Sequence, residues 1–150
     1  MRFMILLKAN QETEAGILPS TELLTAMGQY NEELAQAGIL EAGEGLQPTA
    51  KGARVRFSAN KCTVTHGPFP DADHDIAGFW IFNVASLEEA IKWVERCPFP
   101  FEGSGEAEIE IRQIYEASDF GAAYTPELRE ADERMRKHIG LQTGPSGMKH

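Results

Sequence analysis

The chain has 150 residues, 42% of them hydrophobic and 25% charged, which suits one globular domain with an ordinary core. Its formal charge of −9 argues against nucleic acid as a partner, because phosphate contacts need clustered Lys and Arg. No run approaches the roughly 18 apolar residues of a membrane span, and the apolar start is too short for a signal peptide, so a cytoplasmic protein with no membrane partner is expected. Cys62 and Cys97 are the two cysteines; they imply no disulfide framework and their spacing fits no zinc motif.

In chain order, Phe3, Ile5 and Leu7 alternate with Met4 and Leu6, which predicts a first strand apolar on both faces. After a polar loop, Pro19-Ser20 opens a helix. Its Leu23, Met27, Tyr30 and Leu34 make one stripe, and Gly38 supplies a left-handed terminator. Residues 39–46 read as a short strand entering a glycine-rich turn. Strands over 55–58 and 61–65 flank Ala59-Asn60 as a tight hairpin.

Residues 77–84 form the strongest strand, in which Trp80 and Phe82 share one face and Phe79 and Ile81 the other. Ser86 and Glu89 make a capping box for a helix with Leu87, Ala90, Ile91, Val94 and Cys97 on one face, ended by Pro98. Over 106–115, Ile109 and Ile111 point one way and Glu108, Glu110 and Arg112 the other. Thr125-Pro126 caps a last helix with a thin stripe (Leu128, Ala131, Met135, Ile139), followed from Gly140 by a Gly/Ser/Lys-rich tail expected to be mobile.

The order is β-α-β, hairpin, β-α-β, appended helix. It predicts an α+β fold: a ferredoxin-like βαββαβ-type domain with an antiparallel sheet, an inserted hairpin and a C-terminal helix. With helices on one face only, the sheet's other face stays apolar and open, and a homodimer would cover it.

Several segments together resemble the YCII-related family, in the branch named for a DGPF motif. They are Met1-Arg2-Phe3-Met4-Ile5-Leu6-Leu7-Lys8-Ala9, Ala37-Gly38-Ile39-Leu40 through Gly43-Glu44-Gly45-Leu46, Arg54-Val55-Arg56-Phe57-Ser58, Thr63-Val64-Thr65-His66-Gly67-Pro68-Phe69, Ile76-Ala77-Gly78-Phe79-Trp80, Ser86-Leu87-Glu88-Glu89-Ala90 and Glu108-Ile109-Glu110-Ile111-Arg112. They follow the family's order across residues 1–120, which leaves 121–150 as a helix and tail of the same domain. The resemblance implies a ferredoxin-like subunit that forms a dimeric α+β barrel.

For function, the resemblance implies a small-molecule-binding protein, with weak or vestigial enzyme activity at most. Its alternative is a lyase or isomerase acting on a small cyclic acid or aromatic compound. A third implication, an interaction protein linked to sigma-factor regulation, rests on gene neighbourhoods in the family. Enzyme-like relatives use a His-Asp pair associated with the first helix; Met27 and Gln36 match those positions here, and neither is a base near neutral pH. The branch's Asp-Gly-Pro-Phe reads His66-Gly67-Pro68-Phe69, and its following acidic-Thr-Lys-Glu segment reads Asp71-Ala72-Asp73-His74-Asp75.

The site candidates follow from residue chemistry. His66, at a strand end, could act as general base near neutrality, with Glu44 on the other glycine-rich turn orienting it. Tyr30, Phe69, Trp80 and Arg112 are the candidate ligand contacts: three rings to wall a pocket and a guanidinium for a carboxylate. His66, Asp71, Asp73, His74 and Asp75 have metal-ligand chemistry but no recognised spacing, so no metal and no cofactor is expected.

Overall fold

The computed structural model describes residues 1–71, 75–98 and 107–142 of the chain, which divides into two compact units, Met1–Ile114 and Tyr115–His150. In the first unit, β1 (Arg2–Lys8) is followed by a four-residue helix α1 (Gln11–Glu14) and the long helix α2 (Thr21–Gln36). Strand β2 (Leu40–Gly45) leads through a 3-10 turn (Thr49–Lys51) to β3 (Ala53–Ser58) and β4 (Lys61–His66). Then come β5 (Ile76–Asn83), α3 (Leu87–Glu95) and β6 (Ile109–Gln113).

The four long-range strands form one sheet in the order β2-β5-β1-β6, every neighbouring pair antiparallel, while β3 and β4 pair only with each other. This is the α+β arrangement expected, with the split βαβ strand order and the hairpin as a separate arm.

Both long helices start where the sequence places them. Ser20 accepts a hydrogen bond from the Leu23 amide; Ser86 accepts one from Glu89, whose own carboxylate accepts from the Ala85 amide. Gly38 takes the positive φ of 74° that a β-carbon would resist. The polar stretch expected to be a loop instead holds α1, because Asn10 and Thr13 cap each other's amides. Four residues are too few for any periodicity to announce.

Packing follows the alternation of the strands. Phe3, Ile5, Trp80 and Phe82 turn to the helices and are buried with Tyr30, Leu34, Ile39, Val84 and Ala90; Ile109 and Ile111 pack against this core. Burying one such side chain contributes about 2–3 kcal/mol. Along α3 and just past its end the inward residues are Ala90, Trp93, Val94 and Cys97, whereas Leu87 and Ile91 are exposed. Positions 90, 93, 94 and 97 are the tighter helical set, and the two flanking residues fall outside it.

On the opposite face, register aligns Ala42, Ile81, Met4 and Arg112 in one row and Glu44, Phe79, Leu6 and Glu110 in the next. Met4, Leu6, Phe79 and Ile81 there are only half-covered.

The second unit holds a 3-10 segment (Ala117–Ala123) and α4 (Pro126–Gln142), which runs past Gly140. Phe120 stacks between Tyr115 and Tyr124, with centroids 5.0 and 5.6 Å away, and Arg129 lies over Tyr124. Leu128, Met135 and Ile139 are exposed along α4. No described helix is long and apolar enough to cross a membrane.

Candidate functional site

Glycines open a hole in the helix-facing side of the sheet. On that face one row is Gly43, Trp80, Ile5 and Ile111, and the next is Gly45, Gly78, Leu7 and Ile109. Three of these eight positions carry no side chain. The space left under α2 is a cavity of about 210 Å³ at Leu7, Met27, Asn31, the Gly43–Glu44–Gly45 and Ala77–Gly78–Phe79 segments and Trp80.

The glycines are required for different reasons. A β-carbon on Gly43 would lie 2.6 Å from Trp80 Cδ1, so the indole packs directly on that backbone. A β-carbon on Gly45 would meet nothing within 4 Å, so this position simply leaves room.

Trp80 is held from three sides. Its Nε1–H donates to Asn31 Oδ1 at 3.0 Å, Tyr30 meets it edge-on with centroids 5.9 Å apart, and Phe82 lies 6.4 Å away. The bond to Trp80 fixes which way the Asn31 amide faces and leaves its Nδ2 as a donor. The Tyr30 hydroxyl donates to the Trp93 carbonyl at 2.7 Å, tying α2 to α3 behind the cavity.

Burial pushes the Tyr30 phenol far above its ordinary value, with neighbouring Cys97 adding to the rise, and pushes the Cys97 thiol up to about 11. In the unfolded chain both groups lose their protons at lower pH. The unfolded state therefore binds fewer protons above about pH 9, and stability falls as pH rises from there. Urea titrations between pH 8 and 11 should show this decline, and Tyr30→Phe should flatten it; a wild-type slope unchanged in Tyr30→Phe would refute the assignment to Tyr30.

The sequence candidates divide in space. Trp80 walls the cavity and Tyr30 backs it. Glu44 and Phe79 sit beside it on strands whose alternation turns their side chains to the open face. Arg112 is exposed on β6, paired with Met4, with two strands between it and β2. His66 ends β4 opposite Ala53, exposed, and shares no hydrogen bond with Glu44, which belongs to the other sheet. Asp73 and His74 lie outside the described residues. Asp71 and Asp75 bind the Arg54 guanidinium at 3.6 and 3.0 Å, and no group of three metal-binding side chains occurs among the described residues.

Phe69 belongs to a separate structural knot. Arg54 lies 3.9 Å over its ring. Its amide donates to Thr49 Oγ1, while the Thr49 hydroxyl and amide both donate to Glu14 at 2.6 and 3.1 Å. The Gly67 amide donates to the Gly52 carbonyl, and a β-carbon on Gly67 would sit 1.7 Å from the Thr49 carbonyl oxygen. The Gly-Pro-Phe turn thus clamps the base of the arm to the 3-10 turn and α1.

Asn31 and the glycine hole were not among the sequence candidates. A signal exists in hindsight: Gly43 and Gly45 are two apart and so share a face, but only strand pairing puts Gly78 beside them.

The chain belongs to the YCII-related domain family, whose model matches residues 1–117. Among curated proteins it is similar to an uncharacterised protein of Rhizobium meliloti (strain 1021), 29% identical over 84 residues that cover 56% of this chain and 68% of that one. Among solved structures it is similar to 5-chloro-2-hydroxyhydroquinone dehydrochlorinase (TftG) from Burkholderia phenoliruptrix AC1100, in complex with 2,5-dihydroxybenzoquinone. That match has 20% identity and a TM-score of 0.40, over 77% of this chain and 96% of the other.

Proposed function

We propose that this protein, a DGPF-type member of its family, binds a small neutral single-ring ligand in the cavity between α2 and the glycine-opened strands. The carrying observation is the cavity itself: about 210 Å³, walled by Leu7, Met27 and Trp80, with Asn31 as the one polar side chain among its helix-side walls. An apolar cavity of roughly 150 Å³ already accommodates benzene, so this volume fits one substituted ring and little more. Asn31 Nδ2 would donate to a hydroxyl or carbonyl oxygen of the ligand. Among the described residues the walls include no cation, so an uncharged ring is preferred over a carboxylate. The reading gives His66 no role, and among the described residues no general base faces the cavity from the helix side; binding is favoured over catalysis.

We propose also that the protein works as a homodimer, forming the dimeric α+β barrel. The half-covered Met4, Leu6, Phe79 and Ile81 support this, because a second copy of the same face would remove them from water.

Gly45→Leu tests the binding site without disturbing the fold, because the new side chain enters open space. Wild-type protein should be stabilised by at least one of catechol, resorcinol, hydroquinone or 1,4-benzoquinone in a thermal-shift titration. Saturation at 100 times Kd raises stability by about 2.7 kcal/mol. Gly45→Leu should keep its unliganded Tm and lose the shift. No shift in wild type with any of these rings, or an undiminished shift in Gly45→Leu, refutes the site.

A further inference from the structure

A second cavity, of about 460 Å³, lies between the α1–α2 loop and the segment that follows β2. Ile17, Leu18, Pro19, Leu46 and Pro48 make its walls apolar, and among the described residues Lys51 is its one charged lining residue. The volume falls within the roughly 300–1,000 Å³ usual for small-molecule sites. Gly45 borders both this cavity and the one under α2.

The frame of the outer cavity is fixed from two sides. The Gly16 and Ile17 amides donate to the Thr13 and Glu12 carbonyls, and Gly16 takes a positive φ of 75°. A β-carbon there would lie 3.8 Å from Pro48 Cγ, so the loop packs directly on the turn. Lys51 ends the 3-10 turn that Glu14 and Phe69 hold through Thr49. Ile17 and Leu18 are nonetheless 62% and 86% exposed. A held backbone with bare aliphatic side chains along a cavity suits an apolar ligand body.

Charge narrows the ligand. The chain has 23 acidic residues, yet none lines this cavity among the described residues. Glu14 already accepts from Thr49 with both oxygens, and Glu44 turns to the other face of the sheet. Lys51 has no ion pair among the described residues. It also borders a cavity with Asp75, but Arg54 holds that carboxylate at 3.0 Å.

A backbone donor joins the lysine. The Leu46 amide donates to the Ala77 carbonyl at 2.8 Å, so those two residues form a hydrogen-bonded pair. Antiparallel alternation then makes Gly45 and Gly78 a non-bonded pair. Because β2 is an edge strand, the Gly45 N–H points outward from the sheet, where it has no partner among the described residues. A glycine borders a cavity only with its backbone, and this backbone offers a donor.

We propose that the outer cavity binds a small monocarboxylate with an apolar body. Lys51 and the Gly45 amide take the carboxylate, while Ile17, Leu18 and Leu46 cover the body. One cation and one amide match a single negative charge, and no second cation lines the cavity among the described residues to hold a phosphate dianion. This site does not rest on the ring-binding reading; it takes the charged ligand that the inner cavity disfavours.

Fluorine NMR of the full chain tests it with 4-fluorophenylacetate and its uncharged counterpart, 4-fluorophenylacetamide. The acid should bind about fivefold or more tightly than the amide, the effect of one exposed charge pair. Lys51→Met should weaken acid binding by the same factor, and Lys51→Arg should restore it. Leu18→Asp, which sets a like charge beside the ligand, should weaken it as well. Lys51 and Leu18 are exposed, so both weakened variants should keep the wild-type Tm and its shift with neutral rings. No binding of the acid at millimolar concentration, equal binding of acid and amide, or acid binding unchanged in Lys51→Met overturns the proposal. So does displacement of the acid by a neutral ring that shifts the wild-type Tm, since that places the acid in the inner cavity. The ring site falls on a different result, the absence of any thermal shift with the neutral rings.

Discussion

Gly67→Ala should destabilise the protein by about 3 kcal/mol or more, at the upper end of what overpacking costs. The new β-carbon would fall 1.7 Å from the Thr49 carbonyl oxygen and 2.5 Å from its carbon, both backbone atoms of the 3-10 turn, so no side-chain rotation can relieve the clash. Moving Thr49 breaks a chain of contacts: its hydroxyl and amide donate to Glu14, and its hydroxyl oxygen also accepts from the Phe69 amide. The Gly67 amide would also have to leave the Gly52 carbonyl.

The arm is otherwise attached through Arg54, by its stacking on Phe69 and its bonds to Asp71 and Asp75. Loss should therefore concentrate at the arm base. Urea denaturation measures the total, and hydrogen exchange should show amides of β3 and β4 exposed before those of β1 and β5. A loss under about 1 kcal/mol would mean that the turn and the arm move together freely, and the clamp would be refuted.

This clamp shows where a sequence stops being informative. His66-Gly67-Pro68-Phe69 stands out as a turn, and its resemblance to a family motif is legible residue by residue. What the motif does is not legible, because its partners Thr49, Glu14 and Arg54 are brought to it from separate segments of the chain. The stretch that invites a catalytic reading serves as a structural clamp at Gly67 and Phe69, and it leaves His66 exposed on the arm.

Strands were easier. Period two assigns Trp80 and Phe82 to one face and Phe79 and Ile81 to the other without any structure. It cannot tell which face meets the helices. That choice decides that Trp80 walls a cavity while Glu44 and Phe79 turn away from it. Asn31 escaped notice for a related reason: a lone amide on the polar side of a helical stripe becomes informative only once an indole N–H is seen to reach it.

Phe82→Ala carries the largest expected cost, about 3–5 kcal/mol, and it tests which face of β5 is the core. Phe82 is fully buried, paired with Phe3 of β1 and Leu40 of β2, and its ring lies against Trp80. Deleting it leaves a void at the centre of the sheet that close-packed neighbours fill only in part. For a chain of this length that loss corresponds to a Tm lower by about 10–15 °C. Its neighbour Ile81 lies on the open face, half-covered, beside Ala42 and Met4.

Ile81→Ala should cost under about 1.5 kcal/mol in dilute protein, and the proposed homodimer requires a larger loss as concentration rises, since a partner that binds only the folded state stabilises by mass action. Phe82→Ala should cost the same at every concentration tested, apart from the stability the proposed homodimer would lend both proteins. Equal losses for the two substitutions in dilute protein would mean that the sheet is covered on both faces within one chain. The open face would then be no interface, and the homodimer proposal would fall.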